Sequence, residues 1–534
     1  MRRTVALAPP DLAFGAFTDD GPWVIDPDAL TWREGIDGLR ARTRGEVPRL
    51  LRRRRVPPGR RVVKVGGLLV NALGRWYFGA RRQGGDVSRA DLSKRLRDVF
   101  EALGPTYIKL GQIISSGEGI FPAELVDQFR TLRDKVRAES FETVREVVET
   151  DLGRTLEDVF SSFDREPVAA ASIAQVHRAV LRTGETVVVK VQRPTVSSLV
   201  RKDLAAMSWI APVLVGRIPV SALANPPALV ELFAETIVEE LDFRLEAENM
   251  MDTARILAET GESNAMVVPR PHPHLVTRRV LVMEELSGFA FSDVAGMKAA
   301  GIDTEKIVTA GMVSFLEGAM LYGVFHGDLH GGNLLVLADG RVGLLDHGIT
   351  GRLDEGRRLA FLRLVMGATT NDQMMQLGAL RDLGALPPDV DLDAVIRDLK
   401  LDQPVVDVTT LSADEMVGEL RDMTKALLAY GARMPKELML FIKDMLFLDG
   451  AIATLAPDVD LFAEVTKVAT LMATRHGERI LNDIGIDPRS VAVNLDGIKA
   501  SMGMESDTPA VTYRDLQQRR QVIQKRMEQR RRKR

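Results

Sequence analysis

The chain of 534 residues contains no cysteine. That excludes a disulfide framework, a zinc–thiolate site, an iron–sulfur cluster and a thiol nucleophile. Long apolar runs are missing as well. A membrane-spanning helix needs about 18–20 apolar residues; the stretch at 204–216 is bounded by Asp203 and Arg217, and the one at 307–325 is interrupted by Glu317. The N-terminal Met-Arg-Arg-Thr-Val-Ala-Leu-Ala-Pro-Pro has too short an apolar core for a signal peptide. These absences predict a cytoplasmic protein, or one peripheral on a membrane, with no transmembrane segment. Aromatics are scarce at 5%, whereas 45% apolar and 27% charged residues are ordinary for a globular chain, which rules out collagen-like or wholly disordered classes.

The net charge of −3 conceals an asymmetry. Residues 40–64 carry eleven Arg or Lys against Glu46, a net +10, and residues 513–534 carry ten against Asp515 and Glu528, a net +8. The remainder therefore carries −21. Two basic patches on an acidic body fit an anionic partner or a solvated surface. The tail has one aromatic, Tyr513, so base stacking is hardly served and no nucleic acid is expected. Residues 62–80 are amphipathic beside a basic run. They read as a packed helix or as a helix lying in a membrane interface.

Periodicity gives an α+β order. Residues 89–163 read as helical, with breaks at Gly104-Pro105 and Phe121-Pro122. Val176 to Val180 and Thr186 to Val191 read as a hairpin about Arg182-Thr-Gly-Glu185. Residues 196–216 and 228–258 read as helices, Pro269 to Pro273 as a loop, and Leu275 to Glu284 as a strand. A helix is expected at 303–322, a second hairpin at Leu334 to Val336 and Val342 to Leu345, and helices over 354–490.

The segment His326-Gly-Asp328-Leu-His330-Gly-Gly-Asn333, followed by Asp346-His347-Gly348, carries the strongest chemistry. Phosphoryl transfer needs a carboxylate to orient the attacking hydroxyl, and an amide oxygen with a second carboxylate to hold Mg²⁺. A zinc site of His326, His330 and His347 is the rival, disfavoured because the glycines argue for a loop. The small-residue run Ala169, Ala170, Ala171, Ser172 lets backbone approach phosphates, and Lys190 on the next strand supplies a cation. A buried Lys wants a carboxylate; Glu240, Asp242 and Glu246 supply several, Asp242 and Glu246 being four apart on one expected helix face. Lys109 and Gln112 lie three apart on a helix and read alone as ordinary surface.

Together, Lys109-Leu-Gly-Gln112, Ala169 to His177, Val189-Lys-Val-Gln-Arg-Pro194, Glu240-Leu-Asp242, His326 to Asn333 and Asp346-His-Gly348 resemble the UbiB/AarF (ABC-one-like) atypical kinases, in family order over roughly 90–350. The resemblance implies a two-lobed protein-kinase-like fold with an N-terminal helical KxGQ extension and extra C-terminal helices. It divides the chain into a variable basic region (1–88), the extension (89–165), a kinase-like N-lobe (166–290), a helical C-lobe (291–490) and a basic tail (491–534). It implies that Lys190 contacts the α/β-phosphates of ATP or ADP with Glu246 as partner, that Asp328 takes the base position, and that Asn333 and Asp346 ligate Mg²⁺. Ala169 to Ser172 would cover the nucleotide. Met283, Glu284 and Glu285 would lie at the hinge, and Lys109 and Gln112 would meet Glu240 and Asp242. The implied activity is an atypical kinase or ATPase in or regulating isoprenoid or quinone lipid metabolism. Its partners would be nucleotide and anionic membrane lipid or isoprenoid/quinone intermediates. The alternatives are a small-molecule phosphotransferase and a non-enzymatic nucleotide-binding scaffold. His347 stands where protein kinases have Phe, Gly331 where many relatives have Pro, and a basic tail where some bacterial relatives have membrane spans.

Overall fold

The computed structural model describes residues 15–485 except 20, 27–28, 53–55, 84, 116–120, 133–137, 216–225, 262–264, 371, 400, 402–428 and 460. The basic tail and Arg53 to Arg55 lie outside the described residues. Two compact units are present: residues 1–258, 267–287 and 344–349 form one, and residues 259–266, 288–343 and 350–534 the other.

The first part of the chain builds α1 (Ile36–Leu50), α2 (Arg60–Phe78), α3 (Gly85–Leu103), α4 (Pro105–Ser115), α5 (Ala123–Arg130), α6 (Phe141–Leu152), α7 (Leu156–Val159), β1 (Phe160–Phe163), β2 (Ala169–Ala170), β3 (Ala174–Leu181) and β4 (Thr186–Gln192). It continues through α8 (Val196–Leu214), α9 (Pro226–Ile237), α10 (Phe243–Thr260), β5 (Met266–Val267), β6 (Pro271–Val276) and β7 (Val280–Glu284). The sheet runs β1-β3-β4-β7-β6, with β2 added on β3. Strand alternation sets its two faces. Val187, Val189 and Val191 of β4 bury with Val280 and Val282 of β7 against Val144, Val147 and Val148 of α6. Each such side chain contributes roughly 1.5–3 kcal/mol on burial. Lys190, between two of these valines and opposite Leu281 in the register, therefore points to the other face.

Three sequence expectations are corrected here. The helix expected over 228–258 is two helices, α9 and α10, separated by a 3-10 turn at Glu239–Leu241 and an extended Asp242 (φ −141°, ψ 105°). Asp242 is thus off the helix, and the shared face with Glu246 does not exist. The strand expected at 275–284 is the β6–β7 hairpin, and β6 begins inside the expected loop at Pro271. The helical stretch to 163 ends in β1.

The basic N-terminal segment is partly spent on structure. Arg33 meets Glu248 at 2.8 Å, Arg44 meets Glu239 at 3.0 Å, and Glu46 accepts from Arg201 at 2.7 Å. Arg61 pairs with the fully buried Asp203. These pairings support the structural reading of that segment at those positions.

The second unit holds β8 (Phe289–Ala290), α11 (Val294–Ala299), α12 (Thr304–Glu317), β9 (Val324–His326), β10 (Leu334–Val336), β11 (Val342–Leu344, its last residue in the first unit), β12 (Thr350–Arg352), α13 (Glu355–Thr370), α14 (Gln373–Asp382), α15 (Leu392–Asp398), α16 (Lys436–Leu455) and α17 (Leu461–Ile484). Asp303 caps α12 by accepting the Glu305 and Lys306 N–H groups, and a π-turn over Gly318–Tyr322 extends it. β9 pairs with β12, His326 opposite Thr350, and β10 pairs with β8, so both ends of the 326–333 loop are held by strands. Phe441 of α16 stacks on Phe315 of α12 and edges Phe361 of α13, at centroid distances of 5.0 and 4.6 Å.

Candidate functional site

In the first unit the groups gather around Lys190. Its Nζ donates to Glu246 at 2.6 Å and to Asp346 Oδ2 at 3.1 Å. Glu246 is 3% and Asp346 41% exposed at the side chain. Burial disfavours the Lys190 charge, yet the Asp346 and Glu246 carboxylates outweigh it and hold its pKa above the ordinary value. Burial pushes the Glu246 carboxyl up to about 7 against the pull of Lys190, with Asp346 adding to the rise. The arrangement is a desolvated cation between one dry and one solvated carboxylate.

α10 organises this cluster from one face. Glu246 and Asn249 are three apart. Glu246 takes Lys190, and Asn249 Nδ2 donates to the His347 carbonyl at 2.9 Å. Arg40 of α1 donates to Asn249 Oδ1 at 3.0 Å, which fixes the amide in that orientation. The Asp346-His347-Gly348 turn closes on itself, the Gly348 N–H donating to Asp346 Oδ1 at 2.8 Å. A Cβ at Gly348 would lie 3.1 Å from Asp346 Oδ1 and 3.5 Å from Glu240 Cγ, so glycine suits the spot.

The KxGQ helix α4 reaches the same cluster. Lys109 Nζ lies 3.2 Å from Glu240. Asp242 takes the guanidinium of Arg244 at 2.9 and 2.8 Å. Gly111 has a steric reason: a Cβ there would stand 2.2 Å from Leu132 and 2.8 Å from Phe129. Ala169 and Ala170 form β2 on β3, and Ser172 is buried after them. At the end of β7, Met283 is buried. Glu284 accepts from Thr18 and from the Arg270 backbone N–H at 3.1 Å, and Glu285 accepts from Arg178 at 2.7 Å.

In the second unit, the 326–333 loop is tied internally. The Asp328 N–H donates to His326 Nδ1 at 3.1 Å, Asn333 Nδ2 donates to the Asp328 carbonyl at 3.0 Å, and the Gly332 N–H donates to His330 Nδ1 at 3.1 Å. The His nitrogens thus act as acceptors to loop backbone. Among the described residues no group of three or more His, Cys, Asp or Glu side chains is placed to hold a metal ion. Two residues that the motif reading missed touch this loop from α16: Lys443 donates to the Asp328 carboxylate, and Asp444 accepts the Leu329 N–H at 3.0 Å. Neighbours in sequence on an unremarkable helix, they carry no spacing that would have flagged them.

The family model described as the ABC1 atypical kinase-like domain matches residues 131–377. An uncharacterized protein of Mycobacterium tuberculosis is 36% identical over 372 residues, covering 68% of this chain and 75% of its own length. A chloroplastic aarF domain-containing protein kinase of Arabidopsis thaliana, itself uncharacterized, is 32% identical, covering 69% of this chain and 73% of its own length. The probable protein kinase UbiB of Aeromonas hydrophila is 30% identical, covering 69% of this chain and 68% of its own length. With its mixed helix-and-sheet fold and these relatives, the chain belongs to the ABC1 atypical kinase-like family that includes UbiB and the aarF-domain kinases.

Proposed function

We propose that the protein is an Mg-ATP-dependent atypical kinase or ATPase of the UbiB type, acting in or regulating membrane isoprenoid or quinone lipid metabolism. The observation that carries this reading is Lys190 held by Glu246 at 2.6 Å and Asp346 at 3.1 Å. A charged, buried ammonium beside a half-solvated carboxylate suits a phosphate oxygen and a hard cation, respectively. Ala169 to Ser172 cover the nucleotide in this reading, and Met283 to Glu285 flank its base.

The donor set fits magnesium. The Asp346 carboxylate and the Asn333 amide oxygen are hard ligands, and Asn333 Nδ2 donates to the Asp328 carbonyl. Asp346 and Asn333 are the proposed protein ligands, and the metal, when bound, neutralises charge on the phosphates. Asp328 accepts the proton of the attacking hydroxyl. The acceptor oxygen bonds to the γ-phosphorus as the bond to the β,γ-bridging oxygen breaks, and ADP leaves. In this reading Lys109 on Glu240 fastens the KxGQ helix within the unit that holds Lys190, Glu246 and Asp346, and the acceptor is small or lipid-like rather than a polypeptide.

An anionic lipid surface as partner is supported by α2. Val62, Val65, Ala72 and Trp76 face inward, while Val63, Val70 and Tyr77, seven apart, and Phe78 are exposed, Val70 at 72%. Arg60, Lys64 and Arg75 are exposed on the same helix, and Arg81 lies over the Tyr77 ring. Exposed apolar side chains on a helix that also carries exposed cations suit an interfacial helix. No helix among the described residues is long and apolar enough to cross a membrane. The test is ATP hydrolysis with and without anionic liposomes. Asp346→Asn should abolish turnover, and Val63→Asp with Val70→Asp should remove the stimulation while sparing the unstimulated rate. Equal rates for wild type and Asp346→Asn contradict the reading.

A further inference from the structure

Between His326 and Asn333 the loop carries no Lys or Arg, yet its carboxylate has a cation. Lys443 of α16 donates to Asp328 Oδ1, both side chains being largely buried at 16% and 19% exposure. The next residue, Asp444, is fully buried, and its Oδ1 accepts the Leu329 N–H at 3.0 Å. Its Oδ2 has no hydrogen-bond partner. Burial pushes the Asp444 carboxyl well above its ordinary range, with Lys443 opposing and Asp328 adding to the rise. Successive helical residues project about 100° apart, so this pair takes hold of the loop in two places, side chain at Asp328 and backbone at Leu329. Asp328 has its N–H, its carbonyl and its carboxylate all engaged. The carboxylate's partner lies 115 residues downstream, beyond the matched family region of 131–377.

We propose that Lys443 is a positioning residue for Asp328, and that the Lys443-Asp444 pair of α16 sets the rotamer of the carboxylate that receives the acceptor's proton. This rests on the reading of Asp328 as the base. Lys443 fixes the carboxylate through Oδ1. Asp444 holds the backbone one residue on, so that the side chain has a fixed origin.

The test is magnesium-dependent ATP hydrolysis by the full chain as wild type, Lys443→Met, Lys443→Arg and Asp328→Asn. Lys443→Met should lower kcat by about 10- to 100-fold and leave KM for ATP within about twofold. Lys443→Arg should restore most of kcat. Where Lys443→Met folds poorly, Lys443→Gln, shorter and uncharged, should show the same split between kcat and KM. Wild-type kcat in the neutral variant, with Asp328→Asn inactive, overturns this inference and leaves the proposed function standing. Wild-type rate in Asp328→Asn overturns the assignment of the base and this inference with it.

Discussion

Replacing Lys190 by Met should give a stability penalty that grows with pH. Lys190 and Glu246 are a buried pair at 2.6 Å. Removing one partner of such a pair and leaving the other charged costs about 3–5 kcal/mol. Glu246 has an escape, because burial already pushes its carboxyl up to about 7 with Lys190 present, and without that cation it rises further. At pH 6 the variant's Glu246 is neutral, and the penalty is the lost hydrogen bond, about 1–2 kcal/mol. A carboxyl whose folded pKa lies above the unfolded value, near 4.3, contributes stability fully below that value and loses it as pH rises through the folded one. Above pH 7 the penalty therefore grows by up to about 1.4 kcal/mol per pH unit until Glu246 ionises or the unit unfolds. Asp346 adds little, its side chain being 41% exposed and so solvated. Urea unfolding followed by tryptophan fluorescence reports the right unit, since Trp23, Trp32, Trp76 and Trp209 all lie in the first one. Lys190→Met with Glu246→Gln should be flat with pH. A single-variant penalty of equal size at pH 6 and 8.5 would refute the reasoning.

Other outcomes are equally definite. Gly111→Ala drives a methyl into Leu132 and Phe129, and should cost about 1–3 kcal/mol in the same unfolding assay; no loss would mean that α4 and α5 do not approach closely. Arg61→Met strands the fully buried Asp203 and should cost about 3–5 kcal/mol, while Arg52→Ala, at an exposed position, should change stability little. Equal effects would return both arginines to a common anion-binding role. Burial, and then the charge of His274, hold His272 down to about 4, and its Nδ1 accepts the His274 and Leu275 N–H groups at 3.1 Å. A base depressed from about 6.5 contributes stability above 6.5 that is lost as pH falls toward 4, about 3 kcal/mol here. His272→Asn should flatten that acid slope, measured by urea midpoints between pH 7 and 4.5.

The hairpin around Lys190 was legible because its signals are local: β-branched residues in a period of two, and Gly184 at φ 106° in the turn. The β6–β7 turn was not. Thr277-Arg278-Arg279 contains neither Gly nor Pro, and Asp151 of α6 fixes it by accepting the Thr277 hydroxyl and the Arg279 N–H. The break between α9 and α10 is of the same kind, with the Phe243 N–H donating to the Arg278 carbonyl at 3.0 Å. Tertiary contacts made these two turns, and a window of sequence cannot see them. In the site, residues set by motif order (Lys109, Lys190, Glu240, Glu246, Asp346) could be picked out by combination, though each alone looked ordinary. Asn249, Arg40, Lys443 and Asp444 could not. Their roles rest on reaching distant backbone or side-chain atoms, and nothing in their spacing records that.

The most direct measurement is calorimetric titration of ATP into the full chain with and without magnesium, for wild type and Asp346→Asn. The account predicts nucleotide uptake by the wild type that strengthens with magnesium, and a variant whose residual binding ignores the metal. A wild type that takes up no nucleotide, or an Asp346→Asn protein with undiminished magnesium dependence, would contradict it.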